Sequence, residues 1–166
     1  MTQQQQLVAD DNDGRRDFDF LIGRWKIHHK RLRTRLKGDT QWDEFGGTSH
    51  MWTLMDGLGN VDDDDFDAPT GRYRATTLRS FDPVEKIWSI WWLDGRFPQA
   101  IDVPMRGRFE DGLGTFLCDD TFEGRPIKVR FIWRTSQPMP RWEQAFSEDG
   151  GETWETNWVM DFERIA

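Results

Sequence analysis

Cysteine is all but missing from this chain. Cys118 stands alone, which excludes an intramolecular disulfide and any metal cage built on paired cysteines, and fits a reducing cytoplasm. Positive charge is also in deficit: 22 Lys and Arg face 30 Asp and Glu, a net charge of −8. Such a chain has no cationic field to draw in phosphate backbones, which argues against a nucleic-acid partner. Long apolar runs are lacking, so no membrane span is expected, and the polar opening MTQQQQLVADDNDGRRD has no apolar core of the kind a secretory signal needs. Residues 1–16 read as a disordered tail ahead of a single domain over 17–166. Helical periodicity is scarce throughout, which argues against a helical bundle.

Aromatic residues are abundant instead: ten Trp and twelve Phe among 166 residues. Each large ring contributes on the order of a few kcal/mol when buried, so these rings must be packed somewhere. Short alternating runs predict strands over 24–35, 41–55, 71–81, 86–93, 105–110, 115–122, 127–134, 141–147 and 154–164. The breaks FDPVEK, EDGLG, FEGRP, TSQPMP and SEDGGE are turn sequences short enough to join antiparallel neighbours. Consecutive hairpins make a meander, and nine or ten such strands remove their exposed edges by closing into an all-β, up-and-down antiparallel barrel. The longer gap DGLGNVDDDDFDAPTG reads as a mobile loop at one mouth. Its run Asp62 to Asp65 lacks the ligand spacing of a calcium loop, and a solvated acidic stretch is the expectation, with no metal.

One segment matches a known repeat. Ser147-Glu148-Asp149-Gly150-Gly151-Glu152-Thr153-Trp154 fits S-x-D-x-G-x-T-W, the Asp box found on blade after blade of sialidase-type propellers. A propeller needs several copies and a longer chain; the nearest second approach, from Ser80 to Trp88, lacks the Gly and Thr. The segment is therefore expected to be a hairpin without a glycosidase role.

The ends of the chain carry a resemblance. Asp17 to Trp25, DFDFLIGRW, ends in Gly23-x-Trp25, and the final predicted strand closes on Arg164. This resembles the lipocalin and calycin barrels, and more narrowly a group of bacterial lipocalin-like domains opening F-D-F-x-x-G-x-W. The resemblance implies a short N-terminal 3₁₀ plug, a structural Gly23 and Trp25, and an Arg164 packed over Trp25. The physical reading agrees, since a guanidinium stacks well on an indole face. The glycine-rich continuation of the haem-binding nitrobindin branch is absent after Trp25, and no His follows His50, so no haem or other cofactor is expected.

The candidate site follows from strand faces. His28 and His29 are adjacent on a strand and cannot chelate one metal; with Trp25 inward, Ile27 and His29 also face in and His28 faces out. Alternation assigns His50, Trp52, Trp92, Trp133, Gln144 and Trp158 to the interior wall, with His50 and Gln144 offering hydrogen bonds to a guest. Gln144 and Thr156 are read as inward, Asn157 and Arg130 as outward. The expected function is to bind a small, mostly apolar or aromatic molecule. Two other classes stay open: a cofactor-independent isomerase, hydratase or cyclase drawing on His50 with Asp94 or Arg96, and a protein-interaction module. The sequence leaves a homodimer open and does not identify the ligand.

Overall fold

The computed structural model describes residues 12–136 and 138–165, and they form a closed ten-stranded antiparallel barrel. The strands are β1 (Gly23–Leu32), β2 (Trp42–Leu54), β3 (Gly59–Ala68), β4 (Gly71–Asp82) and β5 (Ile87–Asp94), followed by β6 (Met105–Glu110), β7 (Leu113–Phe122), β8 (Arg125–Arg134), β9 (Arg141–Ser147) and β10 (Glu155–Arg164). Each pairs with its chain neighbours, and β1 closes the barrel against β10, with Trp25 opposite Arg164. The fold is calycin-like, with a 3₁₀ turn at Asp19–Leu21 ahead of the first strand. Tight turns follow from local chemistry: Asp111-Gly112 and Glu123-Gly124 both take positive φ at both residues, as a two-residue hairpin requires.

The acidic gap is not a loop. Residues 59–68 are β3, which pairs with β4 along its whole length and with β2 from Gly59 to Phe66. Alternation splits the four aspartates: Asp62 and Asp64 face the barrel interior, while Asp63 and Asp65 face out and pair with Arg74 and Arg72 of β4. The neighbouring strand supplies the cations that make an acidic strand tenable.

Of the expected tail, residues 1–11 lie outside the described residues. Residues 12–16 form a turn on the barrel, where the Trp88 indole N–H donates to the Gly14 carbonyl at 3.0 Å. Phe18 and Leu21 follow, 1% and 2% exposed, and fill the narrow end against Trp88, Phe109 and Phe116. These rings meet edge-on or offset, the arrangement aromatic quadrupoles favour.

The barrel wall is uneven. β6 pairs with β5 only across Trp88–Ile90 and with β7 only across Leu113–Leu117. The outer halves of β5 and β7 therefore have no strand between them. The connection 95–104 covers that gap, tied down by the Asp102 N–H to the Trp92 carbonyl at 3.0 Å.

Candidate functional site

Gly23, with φ at 119°, admits the chain from the plug into β1 at the closed end. Two residues on, the Trp25 indole N–H donates to the Leu21 carbonyl at 2.8 Å. The Arg164 guanidinium lies 4.1 Å from the Trp25 ring centroid and donates to the Ile22 and Phe20 carbonyls, each at 2.7 Å. One side chain thus ties the last strand to the plug by stacking and by hydrogen bonds.

Above the plug the interior holds a cavity of about 230 Å³. Of the residues read from sequence as its wall, Trp92, Trp133, Gln144 and Trp158 line it, joined by Trp142 and Phe131. Trp158 meets Trp142 edge-on at 5.3 Å and Trp92 at 6.1 Å. Gln144 spends one donor within the protein, on Asn157 Oδ1 at 2.8 Å.

His50 and Trp52 do not line it. In β2 the inward positions are Ser49 and Met51, so His50 and Trp52 lie on the outer face, their rings 5.1 Å apart and Trp52 41% exposed. Both faces of this strand carry apolar residues, so alternation alone did not set its phase. Trp52 belongs to a cross-strand row with Val61, Leu78 and Trp91, aligned in register on the outside. The pairing of His50 with Asp94 or Arg96 is thereby excluded as a catalytic arrangement. Asp94 and Arg96 instead grip each other, Nη2 to Oδ2 at 2.7 Å and Nε to Oδ1 at 3.0 Å. Burial pushes the Asp94 carboxyl up, but the Arg96 hydrogen bonds and the charges of Arg96 and Arg31 hold it below the usual range. Arg96 also lies 3.7 Å from the Tyr73 ring centroid and lines the cavity mouth.

The face assignments of β10 also need correction. The pairing of β9 with β10 shifts between Thr156 and Trp158. A bulge at that point puts two consecutive side chains on one side, so Asn157, read as outward, is fully buried and bonds to Gln144. Before the bulge the phase is reversed: Thr156 pairs with outward Ala145, and Trp154 stacks outside under Arg130, 4.3 Å away.

The interior polar groups of β3 went unread in the sequence, whereas His29 faces in as its alternation with Trp25 implies. Asp62 accepts from the Thr77 N–H at 2.8 Å and from Arg79 Nη2 at 2.7 Å, and Arg79 Nη1 donates to Asn60 at 2.9 Å. Asp64 faces the same cavity beside Ser49 and Asp62. Burial, then the charge of Asp62, pushes its carboxyl well above the usual range despite the Ser49 hydrogen bond, which favours the protonated form. His29 is 0% exposed, stacked 4.7 Å from Phe45, and its Nδ1 accepts from the Trp158 indole N–H at 3.2 Å. Burial, then the neighbouring charges of Arg31 and His28, lowers its pKa to about 3, so it stays neutral. Burial, reinforced by Asp120, Asp119 and Asp102, raises the Cys118 thiol to about 11. Among the described residues no cluster of His, Cys, Asp and Glu is arranged to hold a metal ion, and no helix is long and apolar enough to cross a membrane.

The Asp box is a closed local network between β9 and β10. Asp149 accepts from the Thr153 N–H at 2.9 Å, the Thr153 hydroxyl at 2.5 Å and the Ser147 hydroxyl at 2.7 Å. Gly150 and Gly151 take the positive φ of the turn, 75° and 97°. The hydrogen bonds from Thr153 and Ser147 hold the Asp149 carboxyl well below the usual range. Every oxygen of this carboxylate is turned to the hairpin.

Fold and interior together define a calycin-like barrel with a mixed aromatic and charged cavity. Compared by sequence, the chain matches no protein-family model and no curated protein. Compared by structure, it is similar to an S-type phycobiliprotein lyase from Guillardia theta, with a TM-score of 0.54 and 10% identity over 90% of each chain. At that identity the likeness is one of fold.

Proposed function

We propose that this protein binds a small, mostly apolar or aromatic molecule inside the barrel. The observation that carries the reading is the cavity itself, walled by Trp92, Trp142 and Trp158 and bordered by a few oriented polar groups. Calycin-like barrels are containers by construction, and the phycobiliprotein lyase shows that one can also serve a reaction. The F-D-F-x-x-G-x-W opening supports a place among the bacterial lipocalin-like domains, and the single Cys118 supports a reducing cytoplasm as its setting. The test is a panel of aromatic, fatty and terpenoid compounds read by intrinsic fluorescence and melting temperature. A guest in this cavity quenches the Trp emission and raises the melting temperature; a panel that moves neither contradicts the reading.

Asp64 supports a second reading, a cofactor-independent isomerase, hydratase or cyclase. A carboxyl whose pKa is raised by burial and that faces the cavity is suited to donate a proton to a bound substrate. This reading places the acid at Asp64 rather than at His50.

A further inference from the structure

Packing alone does not account for the charge inside this barrel. Four arginines line the cavity. Two are matched, Arg79 by Asp62 and Arg96 by Asp94. Arg31 and Arg35 form no ion pair among the described residues. The carboxylates whose charge reaches them are committed elsewhere, Asp94 to Arg96 and Glu155 to the Leu36 N–H at 2.7 Å.

Arg31 donates from Nη2 to the Tyr73 hydroxyl at 2.6 Å, and its Nε is buried without a partner. Its guanidinium sits 4.0 Å from the Trp158 ring centroid and 5.0 Å from that of Phe45. The Arg35 guanidinium rests 5.3 Å from the Phe146 centroid. Burial, then the charge of Arg31, lowers its pKa to about 10, which leaves it cationic at neutral pH. Two like charges held together and partly desolvated cost folding free energy. Aromatic stacking offsets part of that cost. A carboxylate offsets more, because each planar guanidinium fork matches it with two parallel hydrogen bonds.

We infer that the guest of this cavity is an aromatic carboxylate, its ring among Trp92, Trp142 and Trp158 and its carboxylate held between Arg31 and Arg35. The inference rests on the cavity reading and adds the chemical class of the ligand. Size follows from volume: about 230 Å³ falls below the roughly 300–1,000 Å³ of pockets that take drug-sized ligands, so the guest has one or two rings. Orientation follows from charge. Asp102 and Asp120 line the wall across the barrel from β1 and repel an anion, which confines the carboxylate to the arginine side.

Isothermal titration calorimetry with matched probes decides the matter. Benzoate is compared with benzamide, and 2-naphthoate with 2-naphthamide, on the unmodified protein and on Arg31→Gln and Arg35→Gln. At least one acid is expected to bind about tenfold more tightly than its amide, because charge-assisted bonds to a guanidinium are lost with the charge. In either variant that preference falls to about threefold or less while the amide affinity holds. Acid and amide binding equally well leaves the cavity reading standing and overturns the carboxylate assignment. A preference that survives in both variants also overturns it, since the anion is then held elsewhere. If neither member of either pair binds, both readings fall. The comparison on the unmodified protein depends on no variant folding.

Discussion

Arg164→Met isolates the clamp between the last strand and the plug, because methionine keeps an apolar stem over Trp25 and removes only the guanidinium. Lost with it are the stack on Trp25 and two hydrogen bonds to the Ile22 and Phe20 carbonyls. An exposed cation–π contact contributes about 0.5–1 kcal/mol. Each hydrogen bond adds about 0.5–1 kcal/mol net, at the low end because the freed carbonyls are reached by water. The sum is about 1.5–3 kcal/mol, or about 3–10 °C in Tm for a chain of this length. Trp25→Ala removes a core ring that is 3% exposed and is expected to cost about 3–5 kcal/mol. Thermal melts followed by far-ultraviolet circular dichroism measure both variants and the double variant. The cycle is expected to return a coupling of about 1 kcal/mol, and 2-naphthoate affinity stays unchanged in Arg164→Met because the cavity lies above the plug. A single variant that melts with the wild type, together with no coupling, would refute the clamp.

Asp64→Asn tests the raised Asp64 carboxyl. A carboxyl whose folded pKa is raised leaves stability intact below its unfolded value near pH 4, and stability is lost as pH climbs toward the folded value. The variant therefore gains on the wild type as pH rises above about 4 in urea melts; a gap that does not vary with pH contradicts the burial argument. Asp149→Ala has the opposite sign. The depressed Asp149 carboxyl stabilises the hairpin fully above about pH 4, and that stabilisation is lost progressively as pH falls below it toward the folded value. The variant's deficit in Tm at neutral pH thus shrinks in acid, and aryl glycosides stay intact with either protein; hydrolysis abolished by the substitution would restore the glycosidase reading. His50→Ala and Trp52→Thr cost about 1 kcal/mol or less, the scale of outer-face cross-strand pairs, and leave 2-naphthoate affinity alone. A large loss of affinity in either would return that face of β2 to the site.

The fold was largely legible because turns and alternation are local signals. The strand that escaped was β3, since four consecutive aspartates oppose every strand propensity. What makes that strand tenable is non-local: Arg72 and Arg74 on the next strand meet the outward pair, and Arg79 meets Asp62 within. The spacing Arg72-x-Arg74 after an acidic run, and a gap long for a hairpin, were the available hints. Trp133 and Trp158 could be placed because their strands have one apolar face, and Trp92 because it continues the stripe of Trp88 and Ile90. His50 and Trp52 could not, because β2 is apolar on both faces, with the small polar Ser49 inside. A single bulge reversed the first residues of β10, and bulges leave little trace in composition. Nothing local in the sequence marks Arg31 and Arg35 as site residues. Only the closed barrel turns them toward Trp158 and Phe146.

Native mass spectrometry of freshly purified protein tests most directly whether the barrel is a container. The wild-type chain is expected to carry a small acidic molecule that is released on denaturation, and Cys118→Phe, which places a ring at the cavity lip, is expected to fly without it. A wild-type spectrum with the bare chain mass alone, unchanged after incubation with the aromatic acids, would contradict the account.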